Sequence, residues 1–139
     1  MALTAIAVDI SGRHKINIGY YLVCSAVSVT MTPTGIDKVN EVQSDAFLTD
    51  KAPELSDVVF MIEKTIAKIK EKGPIVIESG DLFNTDIHLC KPLFSVDIRY
   101  QESMGDRKAI EIAHHVSHST RNILMKELGI DIRNAAPGK

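Results

Sequence analysis

Three carboxylates stand where this chain changes direction. Asp9 closes the apolar run LTAIAV (3–8), Glu78 closes PIVI (74–77), and Asp106 follows Gly105 at the start of a long amphipathic segment. Acids gathered from distant points of a chain repel one another, and a hard divalent cation with oxygen ligands, Mg2+ or Mn2+, is the simplest stabiliser. Such ions activate a water and stabilise a leaving oxygen in phosphodiester cleavage. Asp9, Glu78 and Asp106 are therefore the candidate metal ligands and catalytic residues. Each alone also has a structural use, as a turn acceptor or at a helix N-terminus.

Cations accompany two of these acids. Arg13, His14 and Lys15 follow Asp9, and Arg107 and Lys108 follow Asp106. Beside converged acids they would hold phosphates; otherwise they are solvated turn charges. Lys64, Lys68, Lys70 and Lys72 read as a solvated helix face. Glu111, His115 and His118 share a helical face at spacings that chelate zinc, but an exposed face is more often solvated. His14 and His114 are candidates for proton transfer. Asp81 and Asp86, in the segment ESGDLFNTD (78–86) behind a buried strand, are reserve ligands with ordinary turn or capping duty as the plainer reading.

The elements that must position these groups are legible from periodicity. Residues 3–10 are an apolar run of strand length; 20–30 (YYLVCSAVSVT) are β-branched and aromatic; 36–43 form a more polar strand near a sheet edge. Leu55, Val58, Val59, Ile62, Ile66 and Ile69 recur at helical spacing, with Pro53 before them and Gly73-Pro74 as a stop. PIVIE (74–78), unbroken by polar alternation, suits an interior strand covered on both faces. Residues 80–92 hold a short helix at most, 93–101 alternate as a half-buried strand, and 105–128 read as a helix ended by Gly129. The order β-β-β-α-β-α-β-α predicts an α/β fold: a mixed five-stranded sheet with helices packed on it.

Composition sets the outer limits. The 139 residues suit a single domain, 1–139, with an ordered core over 1–130 and a tail at 131–139. A net charge of −2 carries no global basic field, so any phosphate-binding surface must be local. Cys24 and Cys90 belong to no metal-binding spacing and read as buried, reduced thiols, which with the lack of a signal-like N-terminus points to the cytoplasm. An exposed edge strand would suit a homodimer.

Within this frame AVDISGR (7–13) and YYLVCSAVSV (20–29) resemble the opening of type-two ribonuclease H enzymes, whose first strand carries an Asp-Glu-Ala-Gly-Arg-Gly signature. MGDRKAIEIAHHVSHSTRNILM (104–125) resembles their last catalytic segment, an Asp before an alanine-rich helix ending in Thr-Arg. The resemblance implies the ribonuclease H-like fold, in a small and mainly archaeal family. It implies Mg2+ or Mn2+ on Asp9, Glu78 and Asp106, and contact with a nucleic-acid backbone, RNA–DNA hybrid or structured DNA, through Gly12 and Arg13; Lys15 and Arg107, as cations flanking the acids, are further candidates to hold its phosphates. Two positions depart from the signature: Ile10 stands where it has Glu, and His14 where it has its final Gly. The activity implied is a metal-dependent nuclease; Ile10 and the mild acidity favour the alternative, a non-catalytic binding or interaction module. Asp-x-x-Gly after a first strand also resembles the phosphate loop of sugar kinases and actin-like ATPases, but those need two lobes, and neither GxxxxGK[ST] nor GxGxxG occurs.

Overall fold

The computed structural model describes residues 2–130; the expected tail at 131–139 lies outside them. Strands β1 (Leu3–Ser11), β2 (Tyr20–Met31) and β3 (Ile36–Thr49) form an antiparallel meander. Helix α1 (Leu55–Ile66) returns the chain to β4 (Ile75–Ile77), which pairs parallel with β1. A 3-10 turn (Ser79–Leu82), the one-turn helix α2 (Ile87–Cys90) and a second 3-10 turn (Lys91–Leu93) lead to β5 (Ile98–Tyr100), parallel to β4. Helix α3 (Met104–Glu127) closes the order. The sheet runs β3-β2-β1-β4-β5, so β1 is its middle strand and β3 an edge, as the polar pattern of residues 36–43 predicts.

Side-chain alternation along β1 divides the core. Ile6, Val8 and Ile10 point to one face, against Val58, Met61, Ile62 and Ile66 of α1. Ala5 and Ala7 point to the other, against Ala109, Ile110 and Ala113 of α3. In β4, Ile75 and Ile77 join the first layer and Val76 the second, which is why that strand is apolar throughout. Cys24 and Cys90 are buried free thiols.

Two strands differ from expectation in length. β3 continues six residues past Gln43, through SDAFLT, because β2 offers it partners as far as Tyr20↔Thr49. β5 covers only three of the residues 93–101, because β4, bounded by Pro74 and the 3-10 turn, offers three partners. Phe94 still packs in the core, reached from a turn rather than a strand.

Helix α3 is fixed at its start by one carboxylate. Ser103 caps it by accepting the Asp106 N–H, and Asp106, fully buried, accepts the N–H of Glu102 at 2.9 Å and of Ser103 at 3.1 Å. Arg99 of β5 grips both Asp106 oxygens, Nη2 to Oδ1 at 2.8 Å and Nη1 to Oδ2. Burial alone would raise the Asp106 pKa, but the Arg99 bonds and the two backbone donors outweigh it and hold the carboxyl below its ordinary 3.8. Gly105 lets this end of the helix meet the β2–β3 turn, since a Cβ there would lie 2.0 Å from the Thr32 carbonyl oxygen.

Because its native pKa is depressed, Asp106 supports the fold at neutral pH, and that support drains as pH falls below about 4. Arg99→Ala, which strands a buried carboxylate, is expected to cost about 2–4 kcal/mol at pH 7 in urea unfolding and to flatten the acid limb of the stability profile. A loss under about 1 kcal/mol would show that the pair does not hold the helix.

Candidate functional site

Residues two apart on a strand share a side, so β1 carries Asp9 and Ser11 to the α3 face at its C-terminal end. Asp9 is 6% exposed. Ser117 Oγ of α3 donates to Asp9 Oδ2 at 2.5 Å, and Ser11 Oγ lies 2.7 Å from Ser117 Oγ. With the single Ser117 proton committed to Asp9, Ser11 donates to Ser117. His114 Nδ1 stands 3.3 Å from the same Asp9 oxygen, and the His114 and His118 rings stack at 5.9 Å between centroids.

The chain then turns at Gly12, whose φ of +101° is open to glycine and strained for other residues. The missing side chain is also needed for space. A Cβ would sit 2.1 Å from the Tyr21 carbonyl oxygen and 2.5 Å from Arg121 Nε. Into that space α3 sends Arg121, 6% exposed, whose Nε donates to the Tyr21 carbonyl at 2.7 Å. Burial draws its pKa below the ordinary arginine value. Among the described residues no carboxylate pairs with it. Gly12, Arg13, His14, His114, His118 and Arg121 line a cavity of about 400 Å³.

Beyond the turn Arg13 folds toward the segment after β4. Its Nη2 donates to the Asp81 carbonyl oxygen and lies 3.9 Å from the Asp81 carboxylate, and its guanidinium sits 5.0 Å from the centre of the Phe83 ring. Phe83 and Asn84 both adopt left-handed φ, 58° and 55°. Asp81 is pushed up to about 7, mainly by burial and then by the Asp9 charge; Arg13 opposes this, and Glu78 adds to it. Asp81 Oδ2 and Arg13 Nε are buried without hydrogen-bond partners.

The structure thus gathers Asp9, Glu78 and Asp81 at one end of the sheet. The β1–β4 register, Ile6↔Ile75 and Ala7↔Val76, continued past its last pair brings the exposed Glu78 level with Asp9. It does not bring Asp106 there, and that expected convergence is corrected. Asp106 lies beside Leu3, Met31 and Thr32, at the opposite end of β1, and the helix from Asp106 to Ser117 is about 16 Å long. At about 100° per residue Asp106 shares the helix sector of Ala113, which turns it toward the sheet, but this spacing does not tell which end of the sheet it meets. Arg107, at the same far end, is exposed and 3.8 Å from Glu111. Lys15 and His115 are exposed, and Asp86 caps α2 by accepting the His88 N–H at 2.8 Å. Ile10, where the signature has Glu, packs into the α1-side core.

Asp9, Glu78 and Asp106 do not form the divalent-ion site that the resemblance implies. Among the described residues no three His, Cys, Asp or Glu side chains stand together as an ion requires. Asp9 Oδ2 already accepts from Ser117 and has His114 Nδ1 3.3 Å away, and the Arg13 guanidinium occupies the flank of Asp81. Ser117 and Arg121 were absent from the expected site, although a signal existed. Gly105, Ala109, Ala113, Ser117, Arg121 and Met125 form one stripe at four-residue spacing, all buried, and two of its members are polar.

Since Asp81 binds its proton more tightly in the native state, stability should fall as pH rises from about 4 to about 7 and be lowest above 7. Asp81→Asn is expected to remove that slope and to raise stability at pH 8 by about 2–3 kcal/mol in urea unfolding. A variant whose profile runs parallel to that of the wild type would refute the buried-carboxyl assignment.

Comparison with known proteins agrees with this architecture. The ribonuclease H2 from Pyrococcus horikoshii OT3 superposes with a TM-score of 0.62 at 14% identity, over 99% of this chain and 82% of that one. A chain of the simian T-cell lymphotropic virus intasome, solved with PP2A regulatory subunit B56 gamma, superposes with a TM-score of 0.55 at 13% identity, over 90% of this chain and 41% of that one. These likenesses show a ribonuclease H-like fold. The uncharacterized protein MJ0095 of Methanocaldococcus jannaschii is 29% identical over 123 residues, 87% of this chain and 96% of that protein. The model of a family described as an uncharacterized protein conserved in archaea (DUF2209) matches residues 6–125. With its fold, its central-strand acid and the glycine-arginine turn in view, the chain belongs to this archaeal family.

Proposed function

We propose that this protein binds the sugar–phosphate backbone of nucleic acid at the C-terminal end of β1, as a non-catalytic ribonuclease H-like module. One observation carries the reading: Arg13, Arg121 and three imidazoles surround the place where the fold sets its first acid, while the Asp106 carboxylate is spent on Arg99. Fixed guanidinium groups suit phosphate oxygens, and a local cationic patch on a mildly acidic chain confines binding to that face. Gly12 and Arg13 do the work that the resemblance implies for them. Lys15, exposed beside them, adds a long-range attraction that salt screens. Arg107, at the other end of α3, takes no part.

A second reading is phosphodiester cleavage with Mg2+ or Mn2+. What favours it is the carboxyl of Asp81, repelled by Asp9 and Glu78 and left with an unpartnered oxygen. On that reading Asp9, Glu78 and Asp81 are the acids concerned, and Asp106 is not among them.

Fluorescence anisotropy with labelled RNA–DNA hybrid and branched DNA, at low and high salt, decides the first reading. Arg13→Ala is expected to weaken binding by about tenfold and to lower the slope of log K against log salt by about 1. Absence of binding at low salt, or an unchanged Arg13→Ala affinity, would overturn it. Incubating the same substrates with Mn2+ is expected to leave them intact. Cleavage that requires Mn2+ and vanishes in Asp9→Asn would replace the binding module with a nuclease.

A further inference from the structure

Arg121 presents a problem of charge. A guanidinium that is 6% exposed and has no carboxylate beside it has lost much of its hydration without compensation. Its Nε is spent on the Tyr21 carbonyl, which fixes the plane of the group, and the side chain lines the cavity beneath Gly12. Three imidazoles share that cavity wall with the apolar Ile10 and Ile16: His14 from the turn after β1, and His114 and His118 from successive turns of α3. The nearest acid, Asp9, does not line the cavity; its Oδ2 accepts from Ser117 and lies 3.3 Å from His114 Nδ1. A cavity with a buried cation at its base and no free anion in its wall is built for an anionic ligand.

The kind of anion follows from the donors. A phosphodiester carries one negative charge, which Arg121 alone would balance. A phosphate monoester carries up to two and offers three terminal oxygens, more than one guanidinium can satisfy. Around one such group, ring N–H donors of the lining histidines can reach the oxygens that the guanidinium does not. About 400 Å³ holds the phosphate together with its first sugar.

We propose that this cavity takes a phosphate monoester, the terminal phosphate of a nucleic-acid strand, with Arg121 and His118 as its principal ligands. The proposal rests on the nucleic-acid reading above and names the part of the strand that the site selects.

The test compares short oligonucleotides, labelled at one end and carrying either a phosphate or a hydroxyl at the other, by fluorescence anisotropy with the full-length protein. Inorganic phosphate and a mononucleotide serve as competitors. The phosphorylated end is expected to bind at least tenfold more tightly, and inorganic phosphate at millimolar concentration should abolish that preference. Arg121→Gln should also abolish it. Because Arg121 also supports the Tyr21 strand, His118→Gln, an exposed position, is measured alongside and should reduce the preference with an unchanged circular dichroism spectrum. Equal binding of both ends overturns the terminal-phosphate assignment and leaves the nucleic-acid reading standing. If the mononucleotide and inorganic phosphate bind but no oligonucleotide does, the cavity serves a small phosphate ester and a strand as its source is excluded. If nothing binds, both readings fall.

Discussion

The close seating of α3 on the central strands is the constraint on which the rest of this structure depends. Gly105, Ala109, Ala113 and Ser117 lie along one side of the helix and let its backbone approach β1 and β2. Such an approach removes water from every polar group along the seam, so each must find a partner within the protein. At the near end the partner of Asp106 is Arg99. At the far end Ser117 meets Asp9, and Arg121 meets the Tyr21 carbonyl. One helix therefore ties together β5, β1 and β2, and in doing so it brings His114 and His118 to the end of the sheet where Asp9 lies.

This seating also decides the electrostatics of the candidate site. The side chains gathered at the C-terminal end of the middle strand are mixed in sign. Asp9, Glu78 and Asp81 lie toward β4, whereas Arg121 and the histidines lie toward α3. Arg13 stands between them with its guanidinium on the Asp81 side. Among the described residues these acids do not stand close enough together to form the three-carboxylate notch that the resemblance implies. The cations, with Arg121 lacking a carboxylate partner, leave an unbalanced positive charge beside the cavity.

The use of Ile10 fits the same picture. On β1 it faces the α1 layer with Ile6 and Val8, where a second acid would have to be buried among Met61, Ile62 and Ile66. Replacing a carboxylate by isoleucine at that position strengthens the core, at the cost of the acid that the type-two signature carries there.

Much of the scaffold is legible in the residues themselves. The element order, the edge position of β3, the two-sided burial of β4 and the inward direction of Asp106 all follow from local periodicity, which depends on near neighbours along the chain. Strand lengths do not, since β3 and β5 extend only as far as their partners allow. Asp9, Gly12 and Arg13 could be singled out from a strand end followed by a glycine and a cation. Which acids meet, and which acid meets a base instead, was decided by tertiary structure alone. Asp106 sits about 16 Å along the helix from Ser117, so the direction in which α3 crosses the sheet determines whether it joins Asp9 or Arg99. Periodicity gives the side of a helix that turns inward; only the packing of that helix across the sheet settles what waits there.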